Sequence, residues 1–556
     1  MMLGLDVGGT HTDVVVINGR EVARKAKILT NHNDLLESVR SGMVEATEGL
    51  DPKLIQRVVV STTLATNAIV EGRLEPVGII VASGPGMNPA DLAIGEHFYS
   101  VSGAIDHRGR EIAPIRDCEV QDIARSLKAA GIRNVALVGK FSTRNPSQEL
   151  RMGELLEDGF QTVAMGHQVS GQLNFPRRIA TAYLNAAVAP ITRRFYDAVQ
   201  RSMERRGLAV PLEILKADGG TMAQQRSIQY AVETILSGPA ASVMGTVAFA
   251  DQGKEEVVLD IGGTTTDIAI LVNGVPLLER RGISIGGYRT LVRALHSHSI
   301  GVGGDSWVRV ENGTLKVGPE RRGRAIAYGG PEPTPTDALI ALGAETRGHR
   351  QRAVAGMGEL GYTLGASAQE TAKMIVSKTC SLILEGIQLL VDQVNSQPVY
   401  TIHQLLEGRK VAPKDLILIG APAKEVAPWL QEATGWPVRV PADHEVANAV
   451  GAAVARTTCE VSVVADTALG YVSAPEEGYR AAIDQHGSQE EVVKLALELL
   501  RRKALRLGAD EDDLTMELLE AQQFTMVKGF YRTGRNIRVR AQVKPGLIGT
   551  YRETAA

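Results

Sequence analysis

The sequence predicts an α/β protein of two large lobes followed by a small α+β domain at the C-terminal end. The chain has 556 residues, more than one hydrophobic core usually serves, so at least two compact parts are expected. A motif of strand, glycine turn and strand occurs twice, starting at Leu5 and at Leu259. From about residue 466 the pattern changes to one amphipathic helix and alternating strands, which indicates a separate small domain.

The composition narrows the class of protein. Hydrophobic residues make up 44% and charged residues 22% of the chain, as in ordinary globular proteins. The 60 basic and 63 acidic residues are mixed along the chain, so no nucleic-acid partner is indicated. There are 58 glycines, an excess over the usual share of roughly 7%. That excess indicates many places where the backbone approaches another group closely.

The cysteines and the apolar segments indicate the cellular compartment of the protein. Cys118, Cys380 and Cys459 are far apart and form no CxxC pair, so neither a disulfide framework nor a thiolate zinc site is expected. The start of the chain lacks a basic leader, and the apolar stretch 231–250 is interrupted by Glu233 and Pro239. We therefore expect a cytoplasmic protein with no signal peptide and no membrane span.

The two copies of the repeated motif are residues 5–13 and 259–267. They share seven of nine residues, and each continues as a β-branched run that ends at Asn-Gly, first at Asn18 and later at Asn273. This pattern predicts a strand, a tight turn and a second strand, followed by a hairpin turn.

The chemistry of these loops suits a phosphate group. Two glycines let the backbone approach an anion, threonine hydroxyls can donate to phosphate oxygens, and the leading Asp6 or Asp260 can hold a hydrated divalent cation. The residues predicted to bind phosphate are Gly8, Gly9, Thr10, Thr12, Gly262, Gly263, Thr264 and Thr265. Either copy alone could be an ordinary glycine hairpin, but two matched copies favour phosphate. There is no Walker A sequence and no GxGxxG after a strand, so neither a P-loop nor a dinucleotide fold is supported.

The paired loops resemble the actin/hexokinase/Hsp70 superfamily of ATPases, whose two ribonuclease-H-like lobes close on ATP. Residues 237–245 and 447–455 resemble the small-residue helices that form the hinge in that superfamily, although either could be a buried alanine-rich helix. An apolar strand before Gly420 and Ala421 resembles its adenosine loop. The resemblance implies one lobe at 1–251, a second at 252–460, a small domain at 461–556, and ATP and Mg²⁺ as cofactors.

Further segments resemble the hydantoinase A/5-oxoprolinase family. Residues 61–68 (STTLATNA), 299–306 (SIGVGGDS) and 334–338 (TPTDA) resemble its HGTTxATNA, TIGAGGGS and TxTDA signatures. Asn145-Pro146 with Glu149, then 178–186 and 218–220, follow in the family's order. The likeness implies catalytic roles near the reacting phosphate or carbonyl for Thr62, Thr63, Thr66 and Asn67, together with Asp6 and Asp260. It also implies that Gly303 and Gly304 bind the cofactor.

The chain departs from the family pattern in several places. Asp305 replaces a small residue, Val302 replaces an alanine, and a cysteine-containing segment is reduced to residues 324–328. No hydantoinase-B-type subunit is fused to the chain, so such a partner subunit is expected, in an oligomer.

Two histidines suggest a further metal. His296 and His298 alternate along a predicted strand, so they share a face and could reach a second divalent metal, with Asp337 as a supporting group. The alternative is a pair of hydrogen-bonded loop histidines. Near the C-terminus, Arg538 and Arg540 could bind an anion or form the polar face of a sheet.

The resemblance implies an ATP-dependent hydrolase that opens a small-molecule cyclic amide, of the hydantoin or 5-oxoproline type, by phosphorylating its carbonyl oxygen. Three alternatives stay open: an ATP-dependent carboxylase subunit of the acetone or acetophenone carboxylase type, a non-catalytic ATP-binding activator, and a small-molecule kinase.

Overall fold

The computed structural model describes residues 1–31, 34–251, 253–279, 281–344, 348–396 and 410–548, and it confirms the α/β class. The chain divides into two compact units. The first contains Met1–Ala240, Glu279–Ala294 and the chain from Ala452 onward, and the second contains Ala241–Leu278 and Leu295–Gly451. The predicted boundaries at 251 and 460 stay a prediction, but by this division residues 279–294 and the C-terminal segment group with the first unit.

The first unit contains a six-stranded sheet that carries the first copy of the repeat. Strand Met2–Val7 pairs antiparallel with His11–Asn18 and parallel with Arg57–Thr62. In order across the sheet the strands are Thr221–Ala223, Leu212–Leu215, Arg57–Thr62, Met2–Val7, His11–Asn18 and Glu21–Leu29. Valine, leucine and isoleucine side chains from its central strands are fully buried, which explains their unbroken apolar runs.

A second, parallel sheet of the first unit packs beside the long helix Phe175–Glu204. Its strands in order are Thr162–Met165, Asn134–Gly139, Val77–Ala82 and His97–Ser100. The described α-helices that lie within the first unit are Leu35–Thr47, Leu64–Val70, Asp117–Ala129, Ser147–Leu156, Gly166–Val169, Phe175–Glu204, Gln224–Ser227 and Gln489–Arg506.

A buried polar network at the end of strand Asn134–Gly139 explains two of the family-like segments. The Glu149 carboxylate accepts N–H groups from Gly139 (2.7 Å) and His167 (2.8 Å), and it lies 2.5 Å from His167 Nδ1. Arg178, also fully buried, donates to the carbonyls of Gly139 and Lys140. Burial alone would favour the protonated acid, but His167 and Arg178 hold the pKa of the Glu149 carboxyl below its ordinary value.

We expect Glu149→Gln to lower the free energy of unfolding by about 3 kcal/mol, because buried donors and Arg178 lose a charged partner. The pKa is lower in the folded protein, so this contribution is present above the unfolded pKa of about 4.3 and is lost as pH falls through the folded value. Urea midpoints should therefore differ at neutral pH and converge under acid conditions. Glu154→Gln, on the exposed side of the same helix, is the control and should change little. Equal midpoints for wild type and Glu149→Gln at pH 7 would contradict the network.

The second unit repeats the arrangement around residue 260. Strand Glu255–Ile261 pairs antiparallel with Thr266–Val272 and parallel with Asp415–Ile419. The sheet is completed by Val275–Pro276 and Val438–Arg439, and Ser297–Ile300 pairs with Thr266–Val272. The described helices that lie within the second unit are Pro335–Leu342, Arg350–Leu364, Ala368–Ser396 and Ala423–Thr434. The internal repeat is thus confirmed as a repeated piece of structure.

Each copy of the repeated motif is followed by a hairpin turn, and the two turns differ in position by one residue. Asn273 and Gly274, both with positive φ (54° and 71°), form the predicted two-residue turn. In the first copy Asn18 still pairs with Glu21, so the turn lies one residue later, at Gly19 and Arg20. A register shift between Val16 and Ile17 accompanies this offset.

The C-terminal part is the predicted sheet and amphipathic helix. Helix Gln489–Arg506 begins with a capping box between Ser488 and Glu491 and buries its apolar face on the sheet. The strands in order are Tyr479–Ala482, Tyr471–Ala474, Glu460–Asp466, Tyr531–Val543 and Met516–Lys528. The last two strands form a long hairpin, and two register shifts interrupt the alternation of its side chains. Arg540 pairs with Glu460 at 2.8 Å on the face of this sheet.

Three helices bear on further predictions. The two small-residue segments form helices Ser237–Val247 and Ala447–Val454, as predicted. Ala368–Ser396 is the one described helix long and apolar enough to meet the length and composition of a membrane span, a criterion that buried core helices also meet. Its Ile375, Ile383 and Ile387 lie in the core of the second unit. It differs from the apolar stretch 231–250 that stands out in the sequence.

Candidate functional site

The second glycine turn is built against a second glycine segment. The turn is closed by a hydrogen bond from the Gly262 N–H to the Thr265 carbonyl (2.9 Å). Gly304 donates its N–H to the Gly262 carbonyl (2.9 Å), and Asp305 donates to the Gly263 carbonyl (2.6 Å). The structure thus brings together the predicted phosphate loop, residues 262–265, and the glycine segment at Gly303 and Gly304, which we call the glycine nest.

Gly303 allows this close approach. A Cβ at this position would lie 2.6 Å from the Gly262 carbonyl oxygen and 2.7 Å from the Gly263 carbonyl carbon, so a side chain cannot fit without moving the loop. Thr264 is half-buried and Thr265 is exposed beside the turn. These two hydroxyls and the local N–H groups suit an anion such as phosphate.

Asp260 lies at the end of its strand, next to the predicted adenosine turn. Its strand pairs with the strand that ends at Ile419, and a Cβ on the following Gly420 would lie 2.9 Å from Asp260 Oδ1. Gly420 has a φ of 95°, a conformation that suits glycine. Ala421 after it is exposed.

Two polar residues that the sequence analysis did not select hold the Asp260 carboxylate. The Ser242 hydroxyl donates to Asp260 Oδ2 at 2.6 Å, and the Asn448 amide lies 3.5 Å from the same oxygen. Ser242 belongs to helix Ser237–Val247 and Asn448 to helix Ala447–Val454. The two small-residue helices therefore each supply one polar group to this carboxylate.

A second carboxylate faces Asp260 across the hairpin. Asp267 is its direct partner in the antiparallel register, and like charges opposite each other repel. Burial, and then the nearby Asp260 carboxylate, raise the pKa of Asp267 to about 7. Asp267 ends the repeated motif, but the motif alone did not indicate a role for it.

The first copy has the same pair of carboxylates with a different neighbour. Asp6 and Asp13 are opposite each other, and Lys27 Nζ lies 2.8 and 3.0 Å from the two Asp13 oxygens. Gly8 donates its N–H to the His11 carbonyl (3.1 Å) and closes the turn. In the first copy Lys27 thus compensates the charge of Asp13. In the second copy the equivalent residue, Asp267, instead has a raised pKa.

The rest of the first loop has mixed surroundings. Gly9 is exposed and has no atom within 4 Å of a Cβ built on it, and Thr10 is exposed. Thr12 is buried, and its hydroxyl lies 3.1 Å from that of Thr30, which in turn donates to the Gly8 carbonyl at 2.9 Å.

The threonine-rich segment predicted to be catalytic follows the strand next to the first loop. Thr62 is buried, and its hydroxyl accepts the Leu64 N–H (3.2 Å). The Thr66 hydroxyl accepts the Leu236 N–H at 2.8 Å. Thr63 and Asn67 are half-buried and form a 3.3 Å hydrogen bond with each other. Catalytic roles for these four residues stay a prediction.

The predicted histidine metal pair finds little support. His298 lies in strand Ser297–Ile300 and His296 directly precedes it, both half-buried. Asp337 does not support them, because its carboxylate accepts three N–H groups and the Thr334 hydroxyl in a helix capping box. Within the described ranges no group of three or more His, Cys, Asp or Glu side chains could hold a metal ion.

The carboxylates of the two loops nevertheless fit Mg²⁺. This ion is usually held by one or two carboxylates, with substrate phosphates and water completing its shell. Asp260 can supply one such carboxylate, because Ser242 holds it beside the turn at residues 262–265 that suits phosphate. Asp6 has the equivalent position in the first copy.

Comparison with known families gives two matches. The family described as "Hydantoinase/oxoprolinase" matches residues 178–461, and its N-terminal region matches residues 2–160.

Two curated relatives are similar over much of the chain. The caprolactamase subunit alpha of Pseudomonas jessenii is 25% identical over 75% of this chain and 64% of its own length. The acetophenone carboxylase gamma subunit of Aromatoleum aromaticum is 27% identical over 61% of this chain and 53% of its own length. The matched part thus spans less than two thirds of each relative.

Two solved structures share the fold. The ATP-dependent caprolactamase of Pseudomonas jessenii superposes with a TM-score of 0.73 at 20% identity, covering 97% of this chain and 87% of its own. A nucleotide-free acetone carboxylase superposes with a TM-score of 0.69 at 17% identity, covering 99% and 88%.

Proposed function

The chain belongs to the hydantoinase/oxoprolinase family, and we propose that it is the ATP-using subunit of an enzyme that opens a cyclic amide. The likeness to the caprolactamase subunit alpha supports this choice of reaction. The proposed substrates are rings of the hydantoin and 5-oxoproline types, and larger lactams are proposed as well.

The observation that carries the proposal is the arrangement around Asp260. Within the second unit, the turn at residues 262–265 is joined by backbone hydrogen bonds to the segment 303–305. The Asp260 carboxylate, held by Ser242, precedes this turn in the chain. The backbone hydrogen bonds use the N–H groups of Gly262, Gly304 and Asp305 to fix the shape of the turn. The N–H groups of residues 263–265, beside the Asp260 carboxylate, are therefore the donors proposed for a nucleotide phosphate with its cation. Gly420, next to Asp260, is proposed to let the adenosine lie against the backbone.

ATP solves a specific difficulty of amide chemistry. An amide carbonyl is a poor electrophile, so water attacks it slowly. If the carbonyl oxygen attacks the γ-phosphorus, the bond to ADP breaks and the ring carbon becomes electrophilic. Water then adds to this carbon, the ring C–N bond breaks as the nitrogen takes a proton, and a second water releases phosphate from the acyl phosphate. The protein's part is to position the phosphate and to stabilise its charge.

The residues of this chain have distinct proposed tasks in that sequence. The backbone N–H groups of residues 263–265 are proposed to bind phosphate oxygens, since the Gly262 N–H closes the turn. Ser242 keeps the Asp260 carboxylate oriented. Asp6 and Asp260 would hold Mg²⁺, which neutralises phosphate charge when bound. Thr63 and Asn67, half-buried and hydrogen-bonded to each other, are proposed to lie near the reacting groups.

A partner subunit is part of the proposal. The caprolactamase and acetophenone carboxylase relatives are both named as subunits. We propose a hydantoinase-B-type partner that completes the enzyme in an oligomer.

A carboxylase is the second candidate. The acetophenone carboxylase gamma subunit is 27% identical to this chain, and an acetone carboxylase shares its fold. In that reading ATP activates bicarbonate or a ketone enolate, and the same phosphate loops serve both reactions.

A phosphate-release screen separates these functions. The protein, alone and with the subunit encoded beside it, is assayed with ATP, Mg²⁺ and three substrate sets: cyclic amides, ketones, and ketones with bicarbonate. We expect stimulation by a cyclic amide. Stimulation only when ketone and bicarbonate are both present would identify a carboxylase. Slow release that no small molecule stimulates would favour an ATP-binding activator, and a stable phosphorylated product would identify a kinase.

A further inference from the structure

A charged cavity lies within the first unit, and it includes none of the residues of the first phosphate loop. Its volume is about 80 Å³, enough for a small organic anion. Its walls come from residues 168–172, the turn after strand Leu212–Leu215, residues 230–233 and 291–293, and the C-terminal sheet and helix. We call it the Arg293 cavity. The sequence analysis assigned it no role.

Three cations line the Arg293 cavity, and two of them already have close partners. Lys216 donates to the Thr458 carbonyl (2.9 Å) and lies 3.3 Å from Glu233. Lys503 donates to the Glu460 carbonyl and pairs with Glu477, both at 2.9 Å. Neither ammonium group depends on a further anion.

Arg293 differs from both. Its Nε, Nη1 and Nη2 atoms are buried and have no hydrogen-bond partner among the described residues. The closest carboxylate oxygen, Asp218 Oδ2, lies 3.5 Å from Nε. Buried guanidinium groups in native proteins normally have their donors satisfied, so this one is suited to an oxygen-rich anion.

Asp218 cannot serve as the full partner of Arg293. Its carboxylate already accepts the Thr458 hydroxyl (2.7 and 2.9 Å) and the Gly220 N–H (3.0 Å). Lys216 also lies 3.4 Å from it. These contacts hold the carboxylate beside Arg293 and leave it little capacity to accept hydrogen bonds from the guanidinium.

The position of Arg293 is set by the backbone around it. Leu291 donates its N–H to the Thr181 hydroxyl on the long helix at 2.8 Å, and Val292 donates to the Thr290 hydroxyl. The backbone that carries Arg293 is therefore already ordered before a ligand binds.

The two remaining acids in the walls, Glu476 and Glu460, oppose an anion only weakly. Glu476 accepts the Ser462 N–H, and burial raises the pKa of its carboxyl to about 7. Glu460 is paired with Arg540. The cavity therefore does not present a row of unpaired negative charges to an incoming ligand.

We propose that the Arg293 cavity binds one small carboxylate anion through paired hydrogen bonds from the Arg293 guanidinium. A planar guanidinium matches the two oxygens of a carboxylate, which makes this the anion class that Arg recognises in a two-point manner. The volume of the cavity suits a ligand of a few heavy atoms. Two sources share this chemistry, an organic carboxylate and bicarbonate.

The test is a titration of the full-length protein with ¹³C-labelled acetate and, separately, bicarbonate at constant ionic strength, followed by NMR line broadening and by calorimetry. We expect saturable binding of one anion per chain and a loss of affinity of about tenfold or more in Arg293→Gln. Arg289→Gln, an exposed arginine four residues earlier, is the matched control and should bind like the wild type.

Two further measurements keep the result decisive. Arg293→Lys keeps the charge and loses the two-point geometry, so it should weaken binding if the protein folds normally. If neither variant folds, a crystal structure of the wild type soaked with bromoacetate must show the carboxylate on Arg293. Binding of acetate but not bicarbonate, or the reverse, identifies the source. Equal affinity in wild type and Arg293→Gln, non-saturable binding of both anions, or bromoacetate elsewhere would overturn the proposal.

Discussion

ATP turnover should fall about a thousandfold when Asp260 is replaced by asparagine. Asparagine keeps the size of the side chain and can still accept the Ser242 hydroxyl, so the fold should persist. The substitution removes the negative charge beside the turn at residues 262–265, and therefore removes the proposed ligand for Mg²⁺. The measurement is phosphate release at saturating ATP, with circular dichroism to show that the variant is folded.

Asp415→Asn is the matched control for this loss. Asp415 begins the strand that pairs with that of Asp260, but it lies at the other end and pairs with the exposed Lys254. It should retain wild-type turnover. Asp6→Asn, at the equivalent position of the first copy, should lose activity as Asp260→Asn does. An Asp260→Asn protein with near wild-type turnover would refute the assigned role of the second loop.

Gly303→Ala should raise the ATP concentration needed for half-maximal turnover by about tenfold or more. The new methyl group would lie 2.6 Å from the Gly262 carbonyl oxygen and 2.7 Å from the Gly263 carbonyl carbon, both backbone atoms that a rotamer change cannot move. The phosphate turn must shift, and its N–H groups no longer point where they did. Overpacking of this kind also costs about 1–3 kcal/mol of stability.

Gly358→Ala is the control for that substitution. Gly358 lies in helix Arg350–Leu364 of the same unit, and the closest atom to a Cβ there, on Ala368, is 4.0 Å away. The change should leave ATP kinetics unaltered and raise stability slightly, since alanine favours a helix. If Gly303→Ala binds ATP as tightly as Gly358→Ala does, the glycine nest is not part of the nucleotide site.

The sequence could predict the parts of the site that depend on local pattern. The two glycine turns, the strands on both sides of them and the turn at Gly420 follow from residues adjacent in the chain, and the structure has them at the predicted positions. The family likeness implied that Gly303 binds the cofactor, but the contact of Gly303 with Gly262 was not predicted. No local property of either segment specifies the other.

The groups that the sequence analysis missed are those that depend on distant packing. Ser242 and Asn448 reach Asp260 from two helices, and nothing in an alanine-rich helix distinguishes one small polar residue from its neighbours. Lys27 pairs with Asp13 across a strand pair, a register that the loop motif alone does not give. Arg293 was overlooked because its cavity is assembled from segments far apart in the chain.

The structure gives Asp337 a different role from the expected one. Asp337 was expected to support the histidine pair, yet its signature TPTDA is also a helix start, with proline at the first position and an acid placed to cap Thr334. The carboxylate is used in that capping box and by the N–H groups of Ile326 and Ala327.

The measurement that tests the central claim most directly is the simultaneous quantification of phosphate and ring-opened product in one reaction. The protein and its partner subunit are incubated with ATP and the most stimulating cyclic amide, and the amino acid formed is measured by mass spectrometry. Our account predicts one ring opened for each phosphate released, and neither product with Asp260→Asn. Ring opening without ATP, or phosphate release with no ring opened, would contradict it.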